Sequence, residues 1–374
     1  MYEHIPAALT HGFRNDYSEG AHPRLLQALA TASAEQNRGY GLDAHTERAI
    51  GLIRSACAQA AADVHLLVGG TQTNLVALAA FLRPHQAAIA AVTGHIATHE
   101  TGAIEATGHK VITVPASDGK LTPEAIAPVL AEHANEHLVQ PRLVYVSQST
   151  ELGTVYSRAE LAALSAFCRR HGLRLYVDGA RLGAALAAAG NDLTLPELAT
   201  LADAFYIGGT KNGALIGEAL VVVNDTLKPD LRYLIKQRGA LLAKGMVLGA
   251  QFAELFAGGR VEDSLFLELA AHAVAQATRL HDGLAALGVC FLVDSPTNQL
   301  FPVLPLATVE ALEAHYAFER WLPPNTHGHV AIRLVTSWAT PHSAVDAFLA
   351  DAAALLAPGA ASPIRTAAAP LQER

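Results

Sequence analysis

Between residues 64 and 223, short apolar and often β-branched runs alternate with stretches of helical period, and this alternation limits the folds open to the chain more than anything else in it. Strand-like runs at 64–68, 87–93, 111–114, 143–147 and 173–177 are each followed by a helical pattern, at 72–82, 98–107, 122–133, 159–171 and 180–188. Two more strand-like runs follow at 204–207 and 219–223. Runs that are apolar on both faces fit a sheet covered on both sides, so the pattern predicts an α/β unit with a mostly parallel sheet and helices on either face. A helical pattern at 46–62 precedes it, and the first 40 residues read as irregular and polar. Beyond about residue 229 the texture changes to helical patterns at 251–256 and 264–287, strand-like runs at 289–293, 299–304 and 330–335, and a last helix near 343–356. The expected division is an N-terminal arm (1–20) that contributes to the site, a large α/β domain (21–256), a smaller α+β domain (257–357) and a frayed tail (358–374).

The remaining composition excludes whole classes. Of the residues, 51% are hydrophobic and 16% charged, which suits a packed globule. No uncharged apolar run approaches the ~18 residues that span a bilayer, and the start MYEHIPAALTHGFRND lacks the pattern of a secretory signal. The three cysteines, Cys57, Cys168 and Cys290, are far apart and not in metal-ligand spacing, which argues against a disulfide framework or a zinc site and suits a reducing cytoplasm. A net charge of −8 offers no basic footprint for nucleic acid. The expectation is a cytoplasmic enzyme acting on a small molecule, with no nucleic-acid or membrane partner.

Four segments carry candidate chemistry. VHLLVGGTQTNLVAL (64–78) reads as a strand, a glycine pair and a helix whose first turn is rich in hydroxyls, an arrangement that binds anions through unpaired helix N–H groups; it equally fits an ordinary capped turn. LYVDGARLGAAL (175–186) ends a buried strand at Asp178, on the edge where α/β sheets bind ligands, with Arg181 close enough to be a merely structural ion-pair partner. AFYIGGTKNGALIGEALVVV (204–223) sets Lys211 among Gly208, Gly209 and Gly213 at a strand end. The other lysines, at 110, 120, 228, 236 and 244, lie in polar turns, at a strand start or in helix-like stretches. A nucleophilic lysine needs desolvation or a nearby cation, and Lys211 has the setting for it, although an exposed loop lysine fits the same letters. Finally, AVTGHIATHETGAIEATGHKV (91–111) places His95 after a strand and a glycine, with His99 and Glu100 opening a helix; no third ligand accompanies the His95–His99 pair, so a metal site is not expected.

An anion-binding helix start, a carboxylate at one strand end and a lysine in a later glycine-rich turn together match what pyridoxal phosphate requires: an anchor for its phosphate, a partner for its ring nitrogen and an amine for its aldehyde. With FRNDYSEG (13–20), YGLDAHTERAI (40–50), GGTQTNL (69–75), GHIATHETGAIEATGHKV (94–111), LYVDGARLGAAL (175–186), GGTKNGALIGEALVV (208–222) and IRLVTSW (332–338), the chain resembles the threonine aldolase / β-eliminating lyase family of fold-type I pyridoxal-phosphate enzymes over nearly all of 13–350. The resemblance implies that Lys211 forms the Schiff base, Asp178 binds the ring nitrogen, His95 stacks on the ring, and Gly70, Thr71 and Thr210 hold the phosphate. It implies that Arg181 and Arg333 clamp the substrate carboxylate, with Asn15 nearby, and that the enzyme is a homo-oligomer, a dimer or tetramer, whose sites include a neighbouring chain's residues. Two segments depart from the family pattern. SQSTELGTVYS (147–157) lacks the second histidine common there, and AKGM (243–246) replaces a triple-glycine run. The expected reaction is aldol cleavage of a β-hydroxy-α-amino acid, with His95, directly or through a water, as candidate base; β-elimination or transamination is the alternative.

Overall fold

The computed structural model describes residues 11–357; the beginning of the expected arm (1–10) and the tail (358–374) lie outside the described residues. Seven strands form one sheet: β1 (Asp63–Leu67), β2 (Gln86–Ala91), β3 (Val111–Val114), β4 (Gln140–Ser147), β5 (Arg174–Asp178), β6 (Ala204–Gly208) and β7 (Glu218–Val222). Their order across the sheet is β1-β7-β6-β5-β4-β2-β3. Strand β7 runs antiparallel to both neighbours and every other pairing is parallel, so the carboxyl ends of the remaining strands share one edge with the beginning of β7. Every residue of β2, β6 and β7 is buried, which is why these strands read as continuous apolar runs rather than alternating ones.

The covering helices follow their sequence signals. Arg158–His171 begins in a Ser157–Glu160 capping box, ends at a left-handed Gly172, and turns Leu161, Leu164, Phe167 and Cys168 inward at helical spacing. Two expectations are corrected. The first 40 residues are not wholly irregular, because Pro23–Ser33 is a helix that His22 caps and Pro23 opens, burying Leu25 and Ala32. The helix expected over 98–107 is broken into a single turn, His95–Thr98, and a 3-10 turn, Glu105–Thr107. Thr101 (φ 52°) and Gly102 (φ 70°) are left-handed between them, which no right-handed helix can run through.

A second, antiparallel sheet orders Gln299–Leu300, His329–Val335, Pro302–Pro305 and Cys290–Phe291. Its core gathers Phe13, Leu280, Leu284, Leu304, Val330 and Phe348. Truncating a side chain such as the fully buried Phe13 costs about 3–5 kcal/mol. The 22-residue helix Leu265–Ala286 serves both cores, with Phe266 and Leu269 in the large one and Ala277 and Leu280 in the small one. The chain also starts in the small sheet's territory, since His11–Gly12 pairs in parallel with Tyr316–Ala317 before residues 14–20 return to the large sheet's edge. Among the described residues, no helix is long and apolar enough to cross a membrane.

Candidate active site

The anion-binding turn is built from backbone. Helix Gly70–Phe81 has Gly69 at its N-cap with no side-chain cap, so no side chain takes up its first N–H groups. Thr71 is exposed in that first turn. A Cβ on Gly70 would stand 3.0 Å from the Tyr206 hydroxyl, so a larger residue would press on strand β6. The turn after β6 is equally tight: Gly209 and Thr210 N–H donate to the Gly217 carbonyl at 3.0 and 3.1 Å, and Gly217 N–H returns to Thr210 Oγ1 at 3.0 Å. A Cβ on Gly208 would fall 2.3 Å from the Ala180 carbonyl oxygen. Glycine is thus required where this turn packs on the end of β5, and the packing fixes Lys211 beside the other groups. Burial, then the positive charge of Arg181, holds the Lys211 ammonium below the usual lysine range against the pull of Asp16, Asp178 and Glu218.

Asp178 ends β5 fully buried and saturated with donors. Tyr145 Oη donates to Oδ2 at 2.6 Å, Asn74 Nδ2 to Oδ2 at 2.9 Å and Ala180 N–H to Oδ1 at 3.0 Å. Burial alone would raise its pKa; the charge of His95 and the hydrogen bonds from Tyr145, Tyr206 and Asn74 outweigh that and hold the carboxyl below the usual range. The same Asn74 amide donates at 2.8 Å to Glu100 Oε1, whose other neighbour is His95 Nδ1 at 2.8 Å. His95, with 31% of its side chain exposed, is therefore fixed through Nδ1 and keeps part of its ring open to solvent.

Arg181 does not pair with Asp178, the local partner the sequence offered. Its Nε and Nη2 form a bidentate bridge to the buried Asp16 at 2.7 and 3.0 Å, and Asn298 Nδ2 donates to the same carboxylate at 2.9 Å. Arg333, on His329–Val335, is salt-bridged through Nη2 to Glu319 at 2.7 Å, while its Nε is buried without a partner. Arg333 and Arg181 are close enough to lower the pKa of Arg333 by repulsion, although its burial is the larger cause. Asn15 lies beside Asp16, its Oδ1 accepting from Tyr17 N–H and Ser18 Oγ, and the Tyr17 ring stands 5.8 Å from Lys211 Nζ. The sequence-derived residues thus gather on one edge. Asp16, Asn74, Glu100, Tyr145, Glu151 and Glu218 join them without having been given a role, because hydrophobic period does not report which buried polar side chains meet; the run Asn15-Asp16 beside a candidate carboxylate site was the one available hint for Asp16.

Known proteins resemble the chain over most of its length. A family model described as β-eliminating lyase matches residues 13–320. The low specificity L-threonine aldolase of Pseudomonas aeruginosa is 34% identical over 334 residues, covering 88% of this chain and 94% of the relative. That of a Pseudomonas sp. is 34% identical over 349 residues, covering 92% and 97%. A solved Leishmania major threonine aldolase structure superposes with a TM-score of 0.90 at 48% identity, over 93% of this chain and all of that one. A Thermus thermophilus aspartate aminotransferase, 16% identical with a TM-score of 0.69 over 93% of this chain and 92% of its own, shares the fold.

Proposed function

The chain belongs to the β-eliminating lyase family, and from that premise we propose that it uses pyridoxal 5′-phosphate to cleave L-threonine or L-allo-threonine to glycine and acetaldehyde. The observation that carries the reading is the meeting, on one sheet edge, of a desolvated lysine, a donor-saturated carboxylate and an uncapped helix start. These residues fit the cofactor. Lys211 would hold it covalently, Asp178 would take its ring nitrogen, His95 would lie on its ring, and Gly70, Thr71 and Thr210 would receive its phosphate. When bound, pyridoxal phosphate supplies an electron-withdrawing ring that stabilises negative charge at the substrate's α-carbon.

The chain's own groups do the rest. A depressed Lys211 keeps more of its amine neutral, the form that condenses with a carbonyl. With its carboxyl held below the usual range, Asp178 would keep a proton on a ring nitrogen bonded to it. The unpartnered Nε of Arg333 is a donor that a substrate carboxylate would satisfy, and Asp16 leaves Arg181 Nη1 for the same purpose, with Asn15 alongside. The reading includes a homo-oligomer, dimer or tetramer, in the cytoplasm. The exposed Tyr40, Leu42 and Tyr233 offer surface for subunit contact, and unpaired Cys57, Cys168 and Cys290 suit a reducing compartment; light scattering on the purified enzyme tests the assembly. For the reaction, the holoenzyme is given L-threonine, L-allo-threonine and L-serine. Equal amounts of acetaldehyde and glycine from the threonines are expected; 2-oxobutyrate or pyruvate in their place overturns the reading in favour of elimination. Lys211→Ala is expected to lose both turnover and the covalent cofactor absorbance.

A further inference from the structure

Glu151 is a carboxylate that nothing above employs. It follows β4 in the loop over Asp178, where Ser147 and Asp178 are paired across neighbouring strands. Its Oε1 is pinned from two sides, accepting from Ser147 Oγ at 2.7 Å and from the backbone N–H of His95 at 2.9 Å. Those two donors come from different strand ends, so one carboxylate oxygen ties the β2 and β4 edges together directly beside the His95 ring. Both of those hydrogen bonds fall on Oε1, so Oε2 is the carboxylate oxygen that neither of them occupies. The groups that bear on it electrostatically are those of the site: Asp178 and His95, with Arg181, Tyr145 and Tyr156 responding to its charge. His95 itself has its inner nitrogen committed to Glu100, and Glu100 is in turn held by Asn74.

Resting on the reading of threonine cleavage, we propose that Glu151, and not His95, takes the proton from the substrate's β-hydroxyl. In that step the O–H bond breaks and its proton passes to Glu151 Oε2. The oxygen's electron pair becomes the second bond of the released aldehyde, the Cα–Cβ bond breaks, and its pair remains on the α-carbon. Solvent supplies the proton that completes glycine, and Glu151 returns its own to solvent, so the cycle is neutral. A base for a hydroxyl gains from a higher proton affinity than an exposed carboxylate has. Burial provides it here, reinforced by the negative charge of Asp178 and moderated by the Ser147 hydrogen bond and the charge of His95.

The test compares holoenzyme and Glu151→Gln, which keeps an acceptor for Ser147 and His95. Four readouts are taken: kcat and KM for L-threonine, exchange of the α-hydrogen of glycine with deuterated solvent, and the affinity of the apoenzyme for pyridoxal phosphate. Expected are a kcat lower by at least about 10²-fold with KM and cofactor affinity unchanged, and glycine exchange within about threefold of the parent, because exchange involves no hydroxyl proton. Glu151→Asp is expected to recover part of the lost kcat, and it serves as the informative variant if the glutamine form does not fold. Threonine cleavage within about threefold of the parent in Glu151→Gln, or glycine exchange and cofactor affinity lost in step with cleavage, overturns the proposal and leaves the threonine reading standing. An unsubstituted holoenzyme that releases no acetaldehyde overturns both.

Discussion

Asp178 and Glu218 face the same edge of the sheet with only β6 between them; both are buried, both lie in the field of Lys211, and their carboxyl pKa values are moved in opposite directions. Burial disfavours the anion at each. At Asp178, three side-chain donors and the charge of His95 overcome it. At Glu218 the support is thinner: Gly209 N–H reaches Oε2 at 3.0 Å, Thr210 adds a hydrogen bond, and the carboxyl is still pushed up to about 8. The lesson is that the supply of donors, more than depth, decides whether a carboxyl at this edge is an acid or an anion.

The comparison breaks most sharply at Asp178→Asn. Removing the Asp178 charge is expected to lower kcat/KM for threonine by about 10²-fold or more, with thermal unfolding showing a folded protein. Activity near the parent value would mean that Asp178 is a structural anion only. Next in size is the pH dependence of stability, where the two carboxyls act in opposite directions. Because the folded pKa of Glu218 lies above its unfolded value of 4.5, its contribution is fully present below pH 4.5, declines as pH rises towards about 8 and is constant beyond. Asp178, depressed from 3.8, contributes stability above that pH and loses it as acid protonates the folded state. Urea melts from pH 5 to 9 should therefore show Glu218→Gln without the decline seen in the parent; parallel curves would remove the contrast. The smallest effect is expected from Tyr145→Phe, which deletes the 2.6 Å hydrogen bond to Asp178. It should cost about 1 kcal/mol in the same melts and leave threonine cleavage within about tenfold.

What could be read from the letters was whatever a strand carries to its own end. Asp178, Lys211 and the Gly69–Gly70 turn each follow an apolar run, so strand polarity alone put them on one edge. The small sheet was visible in outline, although the run at 299–304 divides into Gln299–Leu300 and Pro302–Pro305. Groups held across the fold could not be read. Arg181 had an acidic neighbour at Asp178, yet it pairs with Asp16, which belongs to another part of the chain. Glu100 was read as the opening of a helix, whereas it follows one turn of helix and points into the interior, where Asn74 and His95 share its oxygen. Periodicity reports which face of an element is apolar; it carries no record of which buried polar atoms will meet.

The Asp16 carboxylate also sets a timetable. Its two partners are 165 and 282 residues further along the chain, Arg181 in the large sheet's territory and Asn298 in the small sheet's. At roughly 5–20 residues per second, translation delivers the second of them about 14–56 s after Asp16 itself is made. Arg181 is made partway through that interval, so the Asp16 carboxylate gains its guanidinium partner well before its amide partner exists. The full set of bonds to Asp16 waits for the segment around Asn298 to emerge.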